Sequence, residues 1–192
     1  MARSPRFFQE IDPSIVRRSQ RGEMEAFKEL YLFYGAAVRR LAQSLLNDRE
    51  EANDLLHDLF LRLYERITDY RFEAPFAAWL YRSAVNLCLD RLRSRGRRKR
   101  YFGILPATSV VGINDSDPRP AAEAQESEQE RAVRAALMRV PGRYRVCLIL
   151  REIEDCSYEE IAAILDVSVG TVRSRLSRGR KQLRKLILEQ LG

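Results

Sequence analysis

The chain has 192 residues with an apolar fraction of 45%, enough for a real core in one domain or two small ones. Its 34 Lys and Arg against 27 Asp and Glu leave a net charge of +7, which favours a polyanionic partner. Three cysteines lack the paired spacing of a zinc site, no stretch has the length to span a bilayer, and the opening Met1 to Phe8 holds no extended apolar run of a signal peptide. The expectation is a cytoplasmic protein with reduced thiols and no membrane insertion. Cys88 and Cys147 sit in apolar helical runs and read as buried.

Strand signals are scarce and helical periodicity runs through most of the chain. A short helix is expected near Ser14 to Gln20. After the Gly22 turn, Phe27, Leu30, Tyr31, Tyr34, Val38, Leu41 and Leu45 mark an amphipathic helix. Asn47-Asp48 interrupts it, and Ala52, Leu55, Leu56, Leu59, Leu63 and Ile67 form the stripe of the next. Residues 68–75 make a short loop with Tyr70, Phe72 and a helix-starting Pro75. A long helix follows from about Phe76, with Leu80, Ala84, Leu87, Cys88 and Leu92 inward. Gly103 to Ala122 has little periodicity, and Pro106, Gly112, Pro118 and Pro120 mark it as a linker.

A second helical set starts near Glu126, with Val133, Leu137 and Val140 ahead of Pro141-Gly142. Tyr144, Cys147, Leu148 and Ile153 mark the following helix. Ser157 and Glu160 then have the spacing of a capping box, and Ile161, Ala162 and Leu165 give a short apolar face. Asp166-Val167-Ser168 breaks that face, and Ser168 is a natural N-cap for a last helix. There Val172, Leu176, Leu183 and Ile187 share one stripe, with Arg173, Ser174, Ser177, Arg178, Lys181 and Arg184 around the other side. Ala162 and Gly170 are small enough to permit close helix contact. This is the pattern of a helix-turn-helix with a basic recognition helix, and duplex DNA read in the major groove is its expected ligand.

The fold class is therefore all-α: two small helical domains, residues 10–100 and 126–192, joined by a flexible acidic linker at 101–125, with the helix-turn-helix in the second. Charge divides the same way. Arg91 to Arg100 and Ser168 to Leu188 are basic blocks without an acid, whereas 101–130 is acidic. Two nucleic-acid surfaces are expected rather than one. There is no Gly-rich phosphate loop, nucleophile–base pair or metal-type carboxylate cluster, so no enzymatic chemistry and no cofactor are expected. A ligand-responsive activator would need a sensory or receiver domain, and a small recombinase or nuclease would need catalytic groups in a mixed sheet. The helical N-terminal half suggests neither.

Two stretches carry a family likeness. Asp54-Leu-Leu-His-Asp-Leu-Phe-Leu-Arg-Leu-Tyr64 with Phe76-Ala-Ala-Trp-Leu-Tyr-Arg-Ser-Ala-Val-Asn-Leu-Cys-Leu-Asp-Arg-Leu-Arg93 resembles region two of the extracytoplasmic-function sigma factors of bacterial RNA polymerase, and Ser157 to Leu183 resembles their region four. The resemblance implies an alternative sigma factor that binds core RNA polymerase, directs promoter-specific initiation and is held in check by an anti-sigma factor. It places Asp54, His57, Asp58, Arg62 and Glu65 on the face that docks on the clamp helices. His57 stands where relatives commonly carry Gln and reads as a polar contact.

The loop at 68–75 and the helix after it correspond to the reader of the minus-ten promoter element. Tyr70, Phe72 and Trp79 would supply surfaces for unpaired bases, Arg82 and Asn86 contacts to base edges, and Arg91 and Arg93 a track for phosphates. Trp79 lies beside the inward stripe, so core packing is an equal alternative for it; Phe76 reads as core. Primary sigma factors carry paired aromatics for melting where this chain has Arg82-Ser83, which implies that opening depends more on promoter match than on a wedge. In region four, the resemblance puts Thr171, Arg173, Ser174, Ser177 and Arg178 at the reader of the minus-thirty-five element, with Lys181 among the phosphate-holding positions.

Overall fold

In a computed structural model of the protein, residues 8–101 and 127–191 are described, with side chains at 8–95 and 127–189. The expected linker lies outside them almost entirely, as do the side chains that close the first basic block. The described elements are α1 (Pro13–Gln20), α2 (Met24–Leu46), α3 (Arg49–Arg66), a 3-10 turn (Ile67–Asp69), α4 (Phe76–Tyr101), α5 (Glu128–Arg139), α6 (Gly142–Leu148), a π turn (Ile149–Ile153), α7 (Tyr158–Leu165) and α8 (Val169–Leu191). No strand occurs among them, and no described helix is long and apolar enough to cross a membrane.

Local chemistry sets most of the boundaries. Asp12 opens α1 by accepting the Ser14 amide at 2.8 Å, and Asp48 opens α3 by accepting that of Glu51 at 2.9 Å. Asn47, in the left-handed region at φ 53°, ends α2 and turns the chain into α3. Ser127 with Glu130 and Ser157 with Glu160 form complete capping boxes at α5 and α7. Pro75 precedes α4, whose first two amides are instead capped from a distance: Glu10 accepts from Phe76 and Ala77 at 3.1 and 3.0 Å. A carboxylate at a helix N-terminus also complements the macrodipole.

Helices α1 to α4 bury a core that includes Leu30, Tyr34, Leu41, Leu55, Leu59, Phe76, Leu80 and Tyr81. Tyr34 is 1% exposed; its hydroxyl takes the Ile11 amide and donates to the Gln9 carbonyl, both at 3.1 Å. That bond pair ties the segment ahead of α1 to the bundle. Helices α5 to α8 bury Val146, Leu148, Ile149, Ile161, Ile164, Val172 and Leu176. Ile164, absent from the expected apolar face of α7, is fully buried, whereas Ile153 is 54% exposed because the π turn rotates it outward. All three cysteines are free and buried, and burial pushes the Cys88 and Cys156 thiols up to about 12.

The two cores are continuous, since α4 packs on α7 and α6, and α2 on the π turn. Arg145 on α6 is 8% exposed and donates to the Leu45 carbonyl at the end of α2, 3.2 Å away. Arg95 on α4 donates to the neighbouring Leu46 carbonyl at 3.1 Å. Helix α2 carries no basic residue in its own last turn, so its orphan carbonyls and negative dipole end are satisfied from elsewhere. Across the same seam, the nearly buried Glu154 carboxylate has Arg40 of α2 at 4.0 Å as its one ion-pair partner among the described residues. Burial raises its pKa and Arg40 offsets this in part.

Two outcomes follow from these buried groups. Tyr34→Phe orphans an amide and a carbonyl and is expected to cost about 1–3 kcal/mol in denaturant unfolding; an unchanged midpoint would contradict the buried bond pair. For Glu154, a pKa raised in the folded state means that its contribution is present in acid and lost as pH rises through the folded value. Glu154→Gln should therefore melt higher than the parent at neutral pH, with the advantage vanishing below about pH 4. A pH-independent advantage would rule out ionisation as its source.

Candidate nucleic-acid and polymerase interfaces

Four expected docking residues fall on one exposed stripe of α3. Asp54, His57, Asp58 and Glu65 face solvent, with Arg62 beside them, while Leu55, Leu56, Leu59 and Leu63 point into the core. The stripe has an apolar member that periodicity conceals. Leu61 is 66% exposed at its centre, flanked by Tyr64 at 51%. In a leucine-rich helix it reads as one more core residue; only the packing shows that it points out. The His57 ring Nδ1 donates to the Asn53 carbonyl one turn back at 3.0 Å. Asp58 pairs with Arg91 of α4, which also donates to the Glu51 carbonyl at 2.7 Å. Arg91 therefore braces α3 against α4, and a phosphate would have to compete with Asp58 for it.

The aromatics of the 68–75 loop form a graded set. Tyr70 is 7% exposed, and its hydroxyl donates to the Ala74 carbonyl at 2.6 Å, so its ring is an inner layer. Phe72 sits 4.8 Å from it, 37% exposed, with a left-handed backbone at φ 57°. Trp79 is half-buried, 5.7 Å from Tyr70 and 5.9 Å from Phe76. Phe76 is core at 2% exposure. Asn86 and Arg93 are exposed on α4, and Arg93 pairs with Asp90 at 2.8 Å.

Arg82 is engaged elsewhere. Its Nη2 donates to the Ala163 carbonyl at 2.9 Å and its Nη1 lies 3.3 Å from Asp166, so it grips the C-terminal end of α7 and the turn of the helix-turn-helix. Asp166 holds that turn in the left-handed region, at φ 54°.

On α8, Ser168 caps the start by accepting the Thr171 amide at 3.2 Å, and the two hydroxyls lie 2.9 Å apart. Val172 and Leu176 are buried, while Arg173, Ser174, Ser177, Arg178 and Lys181 are exposed, so one face packs and the other is open. The Ser174 hydroxyl donates to the Thr171 carbonyl, 2.9 Å away. The Arg178 guanidinium, with Arg143, holds the Tyr144 hydroxyl below the usual tyrosine range. Arg180 is paired with Glu152 at 2.7 Å. Close helix approach occurs at Gly179, where a Cβ would meet Leu148 at 3.2 Å and Tyr144 at 3.3 Å, whereas one on Gly170 would touch only Ser168. The small-residue contact thus lies near the middle of α8 and not at its start, where Gly170 was expected to permit it. Among the described residues no His, Cys, Asp and Glu group could hold a metal.

The comparisons with known proteins agree with this arrangement. The family model for Sigma-70 region 2 matches residues 30–98 and that for Sigma-70, region 4 matches residues 130–183. The chain is 33% identical over 190 residues to the RNA polymerase sigma-H factor of Pseudomonas aeruginosa, covering 93% of this chain and 95% of that one. It is 36% identical over 180 residues to the ECF RNA polymerase sigma-E factor of Haemophilus influenzae, covering 92% and 95%. Among solved structures, the sigma factor RpoE in complex with the anti-sigma factor NepR from Bartonella quintana superposes with a TM-score of 0.63 at 27% identity over 84% of this chain and 96% of that one. CnrH in complex with the cytosolic domain of CnrY shares the fold, with a TM-score of 0.65 at 24% identity over 92% and 96%.

The Arg180–Glu152 pair generates a test of the open α8 face. Glu152→Gln leaves Arg180 without its competing anion, and binding to duplex DNA at low salt should tighten severalfold, the ceiling set by the ~1 kcal/mol of an exposed pair. Equal affinities across a salt titration would show that Arg180 does not contact phosphate.

Proposed function

The chain belongs to the extracytoplasmic-function subfamily of RNA polymerase sigma factors, and we propose that it acts as a split promoter reader carried by core polymerase. The observation that carries this reading is the coexistence, in one chain, of an exposed mixed polar and apolar α3 face and a one-sided basic helix in a helix-turn-helix. The first surface docks on the clamp helices through Asp54, His57, Asp58, Arg62 and Glu65, with Leu61 as the apolar anchor at its centre. Burying a leucine side chain on association is worth about 1.5–3 kcal/mol, more than any one exposed ion pair on that stripe contributes.

The second surface reads upstream duplex. Arg173 and Arg178 can each pair bidentately with guanine, worth about 1–3 kcal/mol of discrimination, while Lys181 holds phosphate and supplies affinity without sequence choice. The loop at 68–75 and α4 take the downstream element as it opens, with Phe72 and Trp79 offering rings and Asn86 a base-edge donor. Phosphodiester synthesis belongs to polymerase, and this chain supplies positioning alone. Its setting is the cytoplasm, where polymerase works.

The two readers cannot serve a promoter from the closed arrangement. Elements at minus ten and minus thirty-five lie about 25 base pairs apart, or roughly 85 Å at ~3.4 Å each. Here Arg82 touches the helix-turn-helix directly. On polymerase the α4–α7 contact must therefore open, and Arg82 passes from the Ala163 carbonyl to the DNA. An anti-sigma factor is the natural stabiliser of the closed form. Support for that partner comes from the Bartonella quintana structure, which holds such a complex.

Reconstitution tests the reading. Purified chain mixed with core RNA polymerase should give specific initiation in run-off transcription, and Leu61→Asp should weaken polymerase binding about 10- to 100-fold with an unchanged melting point. Initiation only from polymerase already carrying another sigma factor would make the chain an activator instead. An L61D variant with full affinity would remove Leu61 from the docking face.

A further inference from the structure

Helix α1 was assigned no task by the sequence, yet it holds the 68–75 loop at two places. The Gln20 side-chain amide donates to the Ile67 carbonyl at 2.9 Å and to the Tyr70 carbonyl at 2.8 Å, clasping the 3-10 turn from outside. One turn earlier the Arg17 guanidinium lies 5.0 Å over the Phe72 ring. Phe72 itself is held in the left-handed region, a conformation that costs a bulky residue about 1–3 kcal/mol and persists only where its surroundings enforce it. The result is three successive layers: buried Tyr70, half-exposed Phe72 tilted 54° from it and, outermost, exposed Arg17.

The charge on the outer layer is uncommitted. Arg18 is paired with Glu23 and Glu29, and Arg21 with Glu23, at 2.8 to 3.3 Å. Arg17 has no carboxylate partner among the described residues. A surface cation over an aromatic ring can be a stabilising contact worth about 0.5–1 kcal/mol and nothing more. That role explains neither the backbone strain at Phe72 nor the clasp from Gln20 on the preceding turn.

We propose that Arg17 and Phe72 form the outer layers of a stacking platform for one unpaired base of the opened minus-ten element, and that Gln20 is the positioning residue that holds this platform. A guanidinium plane stacks on a base with one face and sends its edge donors to the adjoining phosphate, which an ammonium cannot do. The underlying ring keeps the plane from collapsing onto the protein. The inference rests on the sigma-factor reading and adds to it a residue and a base-sized subsite from a helix outside the expected interface.

The test uses holoenzyme assembled from core polymerase and the full chain. The probe is a fluorescein-labelled single strand carrying the non-template minus-ten segment of a promoter mapped by transcript sequencing, together with versions having one abasic site at each position. Wild-type holoenzyme should lose affinity when one particular base is removed. Arg17→Ala should bind the intact strand about 10-fold more weakly and be indifferent to that same abasic site. Arg17→Lys should keep the salt dependence and still lack the base sensitivity. Gln20→Ala should blunt the same sensitivity while the free chain melts within a few degrees of the parent. An Arg17→Ala abasic profile that matches wild type overturns the platform. A Gln20→Ala variant that melts lower but keeps the profile overturns the positioning role. If wild-type holoenzyme binds the strand no better than core polymerase does, the sigma-factor reading fails first and this inference with it.

Discussion

The end of α2 is the point on which the molecule turns. A helix that stops in the interior leaves carbonyls that must find donors, and α2 stops with Leu45 and Leu46 buried. Its own sequence supplies none in the last turn. Arg95 comes from α4 and Arg145 from α6, so one helix terminus is closed by residues 49 and 100 positions downstream. Arg95 also reaches Glu51, which locks the start of α3 to the same point. Asn47 in the left-handed region makes the corner possible. The junction thus fixes the angle between α2, α3 and α4, and it is the place where the second domain meets the first.

That geometry has a functional corollary. The seam between the domains is polar at two places, where Arg82 meets the end of α7 and Arg40 lies near Glu154. Polar contacts that can be exchanged for water or phosphate contribute only about 0.5–1.5 kcal/mol each, so such a seam can close a free protein and still release on a larger partner. The apolar part of the seam does not share this property. Leu89 against Gly142 and the shared core around Cys147 would be exposed on opening, and a partner has to compensate that loss.

The candidate interfaces were legible in uneven degree. Which side of α8 is exposed was legible because a surface helix separates its charged and apolar residues by angle, and angle follows from spacing. On α3 the exposure of the charged side chains was legible and that of Leu61 was not, since spacing cannot tell an exposed leucine from a buried one in a leucine-rich helix. The loop aromatics were named without their order. Which of Tyr70, Phe72 and Trp79 lies inside depends on the Tyr70 hydroxyl finding the Ala74 carbonyl and on α1 packing across the loop, and neither leaves a periodic trace.

The sequence alone determined the all-α class, the helix boundaries and the helix-turn-helix, because caps, turns and amphipathic stripes are local chemistry acting within one or two helical turns. It also showed two basic blocks, Arg91 to Arg100 and Ser168 to Leu188, since charge is read directly along the chain. Only the tertiary structure decided that Arg82 bonds the helix-turn-helix rather than solvent, that close packing falls at Gly179 rather than Gly170, and that α1 supports the 68–75 loop. Each of these joins side chains to elements far away along the chain or set by packing angle, and such partners are chosen by how helices fill space rather than by any local pattern.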